Sequence, residues 1–288
     1  MMTQQFRDRT EAGQQLAAKL TAYVNRPDVL VLALPRGGVP VAFEVARALH
    51  APLDVLVVRK LGVPGQEELA MGAIATGGVR ILNHDVVELL GIADEVINRV
   101  AAQEQHEVER REHLYRGERP PYQVHGRTII LVDDGIATGA TMRAAVAALK
   151  QQQPARLIIA VPVAAASTCD AFAAEVDELV CVIRPEVFYA VGFWYENFSQ
   201  TSDEEVRDLL DQARHEQLDS SEKRRRTPVA VSHEKRARST PLPPRRVSRV
   251  RRPIASSTSS KEAHIEQRGQ RQQSHIRQHT EGGEDHAV

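Results

Sequence analysis

The segment "IILVDDGIATGAT", residues 129–141, joins four apolar residues, two acids, and a run of small and hydroxyl-bearing residues. The apolar residues 129–132 predict the end of a strand that is covered on both faces. The residues after the acids permit a tight turn with exposed N–H groups and add hydroxyl donors at a helix start: Gly135, Thr138, Gly139 and Thr141. A helix N-terminus favours an anion, so the segment predicts a phosphate loop at the carboxyl end of a strand.

The acids Asp133 and Asp134 lie between the strand and this loop. Carboxylates repel a phosphate, but they suit sugar hydroxyls or a Mg²⁺ ion held through water. The segment therefore predicts a sugar phosphate with magnesium. The alternative is that the aspartates cap the helix and the glycines only turn the chain. No G-x-x-x-x-G-K-[ST] or G-x-G-x-x-G pattern occurs, which argues against a Walker loop or a dinucleotide fold.

Around this segment, short β-branched runs alternate with amphipathic stretches, the rhythm of an α/β protein. The pattern predicts a doubly wound, mostly parallel sheet flanked by helices. Strands are predicted at 28–34, 53–58, 127–132, 155–161 and 178–183, and helices at about 40–49, 85–114, 141–152, 165–175 and 203–216. The Gly-rich segment 62–82 predicts a loop and an antiparallel strand pair at the sheet edge.

Composition limits the class of protein. The chain has 288 residues, of which 42% are apolar, enough for one or two domains with a full core. The longest apolar run, residues 157–166, is far short of the roughly 20 residues of a membrane span, and the N-terminus lacks the pattern of a secretory signal. We therefore expect a cytoplasmic protein. Cys169 and Cys181 predict buried thiols rather than a disulfide or zinc site.

The two ends of the chain differ in charge. Residues 219–288 contain 16 basic and 8 acidic residues, whereas residues 1–218 contain 21 and 30. The basic segment has no aromatic residue and no sustained apolar period, so we expect a disordered basic tail after a domain at 1–218. Without interleaved aromatic residues or a groove-reading motif, we do not expect it to bind nucleic acid.

The nonapeptide "DDGIATGAT" resembles the phosphoribosyl-diphosphate (PRPP) signature of the type I phosphoribosyltransferases, and the resemblance extends over residues 25 to about 200. It implies that Asp133 and Asp134 bind the ribose 2′ and 3′ hydroxyls. It also implies that the 5′-phosphate is wrapped by the loop Ala137, Thr138, Gly139, Ala140 and Thr141.

Two further segments fit the same family. In "ALPRGGVP", Arg36, Gly37 and Gly38 match the loop that grips the diphosphate, often through a strained or cis peptide. In "VVRKLGVPG", Arg59 and Lys60 match basic residues that lead into a mobile loop closing over the reaction, and we expect them to be catalytic with the two acids. The alternative for Arg59 and Lys60 is a solvent-facing pair at a strand end.

The resemblance implies a Mg²⁺-dependent displacement of diphosphate from PRPP by a nitrogenous base, as in nucleobase salvage. Ala137 departs from several purine-using relatives, which carry an aspartate there that handles the base proton; adenine-type relatives also carry alanine. The general base is therefore unassigned. Glu67 and Glu68 are candidates, with surface solvation as the alternative.

The acceptor pocket of this family lies in a C-terminal hood, which we place mainly at 184–218 with an N-terminal helix at 8–24. Six of the twelve aromatic residues cluster there: Phe188, Tyr189, Phe193, Trp194, Tyr195 and Phe198. Phe188, Trp194 and Tyr195 are candidates for a base-stacking wall, and packing of the hood onto the sheet is the alternative. Ser202 with Glu205 predicts a helix start.

Three functions are compatible with these features to different degrees. The first is an active phosphoribosyltransferase, which we expect to be a homodimer as relatives commonly are. The second is a PRPP-sensing regulator that keeps the fold without turnover. The third, a receiver-type signalling domain, would need an acidic pair on the first strand and a lysine at a late strand end, and neither is present.

Overall fold

The computed structural model describes residues 5–120 and 122–226, with side chains as far as residue 218. Eight strands are present there: β1 Val29–Ala33, β2 Leu53–Val55, β3 Val58–Val63, β4 Gln66–Ala75, β5 Val79–Leu82, β6 Thr128–Val132, β7 Arg156–Val163 and β8 Glu178–Ile183. Seven α-helices accompany them: α1 Arg9–Ala17, α2 Gly38–Leu49, α3 His84–Leu90, α4 Asp94–Arg116, α5 Ala140–Gln151, α6 Ala166–Ala173 and α7 Asp203–Arg226.

The main sheet has five parallel strands in the order β2-β1-β6-β7-β8. β1 is buried throughout, and successive side chains serve opposite faces: Val29 and Val31 pack in one core, Leu30 and Leu32 in the other. Because the pleat alternates with a period of two, a strand with both faces covered must be apolar at every position. This arrangement confirms the predicted doubly wound fold.

The helices divide between the two faces. The first core contains buried residues of α1, α2, α4 and α7, and the second contains residues of α5 and α6. The predicted helix at 85–114 is two helices, because Gly91 ends α3 in the left-handed region with φ of 58° and α4 begins at Asp94. Glycine adopts that conformation without the steric cost that a Cβ imposes.

The segment predicted as a loop and a strand pair forms a separate antiparallel sheet of three strands, β3-β4-β5. β3 pairs with β4 from Val58 to Val63, and β4 pairs with β5 from Gly72 to Ala75. The structure therefore differs from the predicted strand pair in two ways: there are three strands, and they form their own sheet rather than an edge of the main sheet. Two of the glycines that suggested a loop, Gly62 and Gly72, lie within strands, where each faces a backbone carbonyl too close for a Cβ. The others lie in the connections between strands.

The hood residues meet the N-terminal segment. The predicted helix at 8–24 is α1 followed by a short 3-10 turn at Thr21–Tyr23. Before α7, the Ser202 hydroxyl accepts a hydrogen bond from Glu205 N at 3.0 Å, which confirms the predicted helix start. α7 continues to Arg226, past the expected domain end at 218, and the rest of the predicted tail lies outside the described residues.

Within the described ranges, no helix is long and apolar enough to cross a bilayer. Cys169 is buried and Cys181 partly buried, and both are free thiols.

Deletion of residues 219–288 is expected to leave the melting temperature of the remaining domain nearly unchanged. Among the described side chains, those that α7 buries in the core are Val206 and Leu210, both before the cut. We expect a shift within about 2 °C by differential scanning calorimetry, the effect of roughly 0.5 kcal/mol in a domain of this size. A fall of about 10 °C or more would refute the predicted domain end.

Candidate functional site

Two loops meet where β1 and β6 end side by side. These strands pair in parallel with Ala33 opposite Val132, and Leu34 N then donates a hydrogen bond to Val132 O at 2.9 Å. The next residues of each strand, the predicted diphosphate loop (residues 36–38) and the acid pair (Asp133 and Asp134), are thereby brought to one edge of the sheet. In open parallel sheets this edge is where ligands bind.

The contact between the two loops is close enough to require glycine. A Cβ built on Gly37 would lie 2.0 Å from Asp134 Oδ2, and one on Gly38 would lie 2.9 Å from Asp133 Cα. Both distances are shorter than any tolerated contact, so no larger residue fits between the loops without moving them. The peptide bond between Pro35 and Arg36 is cis, as the resemblance implied.

One carboxylate oxygen of each acid already accepts a hydrogen bond within the protein. Asp133 Oδ1 accepts a hydrogen bond from Asp134 N at 2.9 Å. Asp134 Oδ2 accepts from Arg9 Nε at 2.9 Å and lies 2.8 Å from Arg9 Nη2. Among the described residues, no donor reaches Asp133 Oδ2 or Asp134 Oδ1. The acid pair therefore offers two acceptor oxygens, one from each carboxylate, to a ligand.

Burial governs the charge of the acid pair. Loss of hydration raises the pKa of Asp133 well above its ordinary value, and the negative charge of Asp134 adds to that rise. Burial also raises the pKa of Asp134, although Arg9 opposes the rise through its charge and hydrogen bond. Ionising both acids is thus unfavourable in the ligand-free site, and hydroxyl donors or a cation would relieve this cost.

The predicted phosphate loop (residues 137–141) follows the acid pair and begins α5. Gly139 precedes the helix with φ of 78°, and no side chain caps the helix start. The loop is fixed from behind: Ile136 N donates to Val163 O at 2.9 Å, and a Cβ on Gly139 would lie 2.8 Å from the Phe172 ring. Because Thr138, Ala140 and Thr141 are exposed, the uncapped helix start is open to an anion.

Arg36 lies across the cleft and contacts the hood. Its Nη1 lies 3.8 Å from Asp203 Oδ1, which also accepts a hydrogen bond from the Tyr115 hydroxyl at 2.6 Å. Burial and this bond to Asp203 raise the pKa of Tyr115 to about 12, so the phenol stays protonated and keeps donating. The side chain of Arg36 is 35% exposed and retains donors for an anion.

The other residues that the sequence predicts to take part in the reaction have partners away from this edge of the sheet. Arg59 Nε donates to Glu104 Oε2 on α4 at 2.7 Å, and Lys60 Nζ lies 3.2 Å from Glu68 Oε2 of the same hairpin. Glu67 accepts a hydrogen bond from Gly65 N at 3.2 Å. None of these contacts includes a residue of the acid pair, the phosphate loop or the diphosphate loop.

The candidate stacking residues differ in exposure. Trp194 and Tyr195 are buried with Phe6, Ala12 and Val163, and Phe188 packs on Trp194 with ring centroids 6.5 Å apart. The Tyr195 hydroxyl donates to Asp134 O at 2.6 Å, so this ring supports the acid pair directly. The exposed rings of the hood are Tyr189, Phe193 and Phe198.

The described residues contain no group of three or more metal-binding side chains. Two adjacent aspartates suit a magnesium ion that takes its other ligands from water and a bound phosphate. A cavity of about 380 Å³ also occurs between α1 and α2, lined by Gln14, Thr21, Glu44 and Arg47, and it includes no residue of the acid pair or of either loop.

Sequence reasoning missed Arg9, Tyr115 and Asp203. Arg9 contacts Asp134 and Asp203 contacts Arg36 from distant parts of the chain, and Tyr115 bonds Asp203. No local pattern marks any of the three. Arg9 lies in a polar N-terminal stretch that predicts only a helix.

The architecture and this edge can be compared with known proteins. The model of the phosphoribosyl transferase domain matches residues 4–192. The chain belongs to this family. A protein of Mycobacterium tuberculosis that carries the provisional name phosphoribosyl transferase, in strains H37Rv and CDC 1551, is 49% identical over 208 residues, which cover 72% of this chain and 47% of that protein. The chain thus spans about half the length of the curated relatives it matches.

A solved structure is similar over the same share of the chain. The protein TT1426 from Thermus thermophilus is 41% identical with a TM-score of 0.65, and the match covers 72% of this chain and 98% of TT1426. TT1426 therefore shares the fold of the matched region with the present chain.

Replacement of Asp133 by asparagine is expected to raise thermal stability while weakening ligand binding. The folded-state pKa of Asp133 is raised above its unfolded-state value, so the group costs stability near pH 7; this cost shrinks as pH falls below the raised pKa and is gone below the unfolded-state pKa. Asparagine keeps the Oδ1 acceptor for Asp134 N without the charge.

Calorimetry at about pH 7 should give a melting temperature higher by roughly 2–4 °C, the shift for about 1 kcal/mol in such a domain. The matched control is Asp170→Asn, whose carboxylate is exposed and pairs with Arg184, and it should not gain stability. A lower melting temperature for Asp133→Asn than for wild type would contradict the unfavourable buried charge.

Proposed function

We propose that the chain is a phosphoribosyltransferase that moves the 5-phosphoribosyl group from PRPP to a nitrogenous base and releases diphosphate. The observation that carries the proposal is the meeting of the acid pair, the phosphate loop and the diphosphate loop at one sheet edge. One ligand carries all three complementary groups: a vicinal diol, a 5′-phosphate and a 1-diphosphate. Membership in the phosphoribosyl transferase domain family supports the same reaction class.

Each group of PRPP has a partner of suitable chemistry. Asp133 Oδ2 and Asp134 Oδ1, which lack donors in the described residues, accept hydrogen bonds from the two hydroxyls of the ribose diol. The free N–H groups and hydroxyls of residues 137–141 bind the 5′-phosphate. Arg36 and the Gly37 amide bind the diphosphate, while Gly38, whose N–H donates to Leu34 O at 3.1 Å, allows the loop to lie close to the acid pair.

The reaction breaks the bond between ribose C1 and the diphosphate oxygen and forms a bond from C1 to a nitrogen of the base. Charge that develops on the leaving diphosphate is stabilised by Arg36 and loop amides held in place before the reaction. Positioning supplies much of the rate acceleration, because the loops at the ends of β1 and β6 hold the same PRPP molecule in a fixed orientation. The proton lost by the nitrogen has no assigned acceptor, since Ala137 carries no carboxylate.

Magnesium fits this site as an ion shared between protein and donor. The buried charge of the acid pair favours a nearby cation, and two aspartates alone leave most octahedral positions for water and diphosphate oxygens. When bound, Mg²⁺ would neutralise part of the charge of the diphosphate. The residues that would hold it are Asp133 and Asp134, through water or together with PRPP.

Arg59 and Lys60 are proposed to act on the diphosphate only if the β3–β4 hairpin moves, because both side chains are paired elsewhere. The acceptor pocket is proposed to lie at the hood near Phe188, Trp194 and Tyr195, with the exposed rings Tyr189 and Phe193 beside them. A role in nucleobase salvage, a cytoplasmic location and a homodimer stay predictions from the sequence.

A PRPP-sensing protein is the second candidate. It is favoured by one specific observation: Arg59 and Lys60 form ion pairs away from the proposed donor site. In addition, no residue is assigned to accept the proton of the incoming base. Such a protein would bind PRPP without releasing diphosphate.

A screen of purine and pyrimidine bases with PRPP and Mg²⁺, scored by diphosphate release, distinguishes the two candidates. We expect wild type to release diphosphate with at least one base. The double variant Asp133→Asn/Asp134→Asn should release it at least about 100-fold more slowly, because each lost charged hydrogen bond costs about 1.5–3 kcal/mol. The exposed Asp170→Asn variant is the matched control and should keep full activity. Calorimetric binding of PRPP without release by any base would favour the sensor, and absence of PRPP binding would overturn both candidates.

A further inference from the structure

We propose that Arg9 is a positioning residue that holds Asp134 in the orientation required to recognise the ribose diol. The inference rests on the proposed function and assigns the 2-hydroxyl of ribose to Asp134 and the 3-hydroxyl to Asp133, so that Arg9 determines specificity for ribose over 2-deoxyribose. Arg9 itself does not contact the ligand in this account. It acts through the Asp134 carboxylate.

Arg9 fixes one oxygen of Asp134 and leaves the other free. Its Nε and Nη2 both approach Oδ2, at 2.9 and 2.8 Å. A carboxylate held at one oxygen by two donors cannot rotate without breaking both bonds. Asp134 Oδ1 therefore stays without a donor among the described residues, as Asp133 Oδ2 does, and both are left as acceptors for ligand hydroxyls.

Gly37 shows that this orientation is tied to the diphosphate loop. A Cβ built there would lie 2.0 Å from Asp134 Oδ2 and 3.3 Å from Arg9 Nε. The ion pair between Arg9 and Asp134 thus lies directly against the backbone of Gly37, a residue of the loop proposed to bind diphosphate. An unanchored Asp134 would lose its fixed position relative to that loop.

Arg9 is itself held by further contacts with the hood. Its Nη1 donates to Ser199 O at 2.7 Å, and its guanidinium lies 4.0 Å from the centroid of the Phe198 ring. Its side chain is 11% exposed, and that of Asp134 is 13% exposed. A guanidinium fixed on so many sides holds its partner far more rigidly than a surface lysine would.

The chain segments that carry Arg9 and its hood contacts are joined by backbone hydrogen bonds. Phe6 N donates to Trp194 O at 2.9 Å, Glu196 N to Phe6 O at 2.8 Å, and Asn197 N to Arg7 O at 2.8 Å. These bonds place the start of α1 beside the acid pair, although Arg9 and Asp134 are 125 residues apart in sequence. The N-terminal segment and the hood therefore act together on the donor site.

The test uses Arg9→Gln and three probes in isothermal titration calorimetry with Mg²⁺: ribose 5-phosphate, 2-deoxyribose 5-phosphate and inorganic diphosphate. We expect wild type to bind ribose 5-phosphate about tenfold more tightly than the deoxy sugar, since one hydrogen bond to a charged acceptor is lost. In Arg9→Gln this ratio should fall to about two or less, while diphosphate affinity stays within about twofold. The ratio separates loss of diol recognition from general damage.

Two variants support the interpretation. Arg7→Gln is the matched control, because Arg7 lies in the same segment with a side chain 71% exposed and pairs with Glu11 rather than with the acid pair; it should discriminate as wild type does. Arg9→Lys keeps the charge and should fold if Arg9→Gln does not. The ratio of ribose 5-phosphate affinity to 2-deoxyribose 5-phosphate affinity in Arg9→Lys should lie between those of wild type and Arg9→Gln, because lysine cannot place two fixed donors on Asp134 Oδ2.

An unchanged ratio in a folded Arg9→Gln or Arg9→Lys protein would overturn the inference and leave the proposed function standing. Equal losses for all three probes would overturn it as well, since they would indicate a structural role only. Wild type that binds diphosphate but does not distinguish the two sugars would also refute the role of Arg9. Wild type that binds neither sugar phosphate nor PRPP would overturn the proposed function itself.

Discussion

The parallel pairing of β1 with β6 is the constraint on which the candidate site depends. The register that places Ala33 opposite Val132 ends both strands at one level, and the bond from Leu34 N to Val132 O carries the pairing into the loops. A shift by one residue would turn every side chain of β1 to the other core and separate the acid pair from the diphosphate loop. The apolar sequence of both strands, which fills a core on each face, fixes the register.

Much of this arrangement follows from local sequence. A buried parallel strand, a glycine turn and an uncapped helix start each have a short-range pattern, so β1, β6, residues 36–38 and residues 133–141 were predictable in type and place. The β3-β4-β5 sheet was underestimated because glycine weakens a strand pattern, and only the close approach of neighbouring backbones explains Gly62 and Gly72. Arg9 and Asp203 were not predictable, because an ion pair between distant segments leaves no local signal in one sequence.

The charges at the sheet edge explain why the N-terminus and the hood matter. Burial disfavours ionised Asp133 and Asp134 in the ligand-free site, and Arg9 offsets part of this cost on one side. On the other side, Asp203 pairs with Arg36 and accepts a hydrogen bond from the Tyr115 hydroxyl. The five-stranded sheet thus supplies the backbone frame, while α1, α4 and α7 supply groups that hold the acidic and basic side chains apart and in place. A site that holds buried charges in place for a ligand usually lowers the stability of the ligand-free fold.

The most direct test of the account is a crystal structure of the chain with PRPP and Mg²⁺. The account predicts one molecule across the ends of β1 and β6, with the ribose hydroxyls on Asp133 Oδ2 and Asp134 Oδ1. Its 5′-phosphate should lie against the amides of residues 137–141, and its diphosphate against residues 36–38. Well-ordered PRPP elsewhere, for instance in the cavity between α1 and α2, with this edge of the sheet empty, would contradict it.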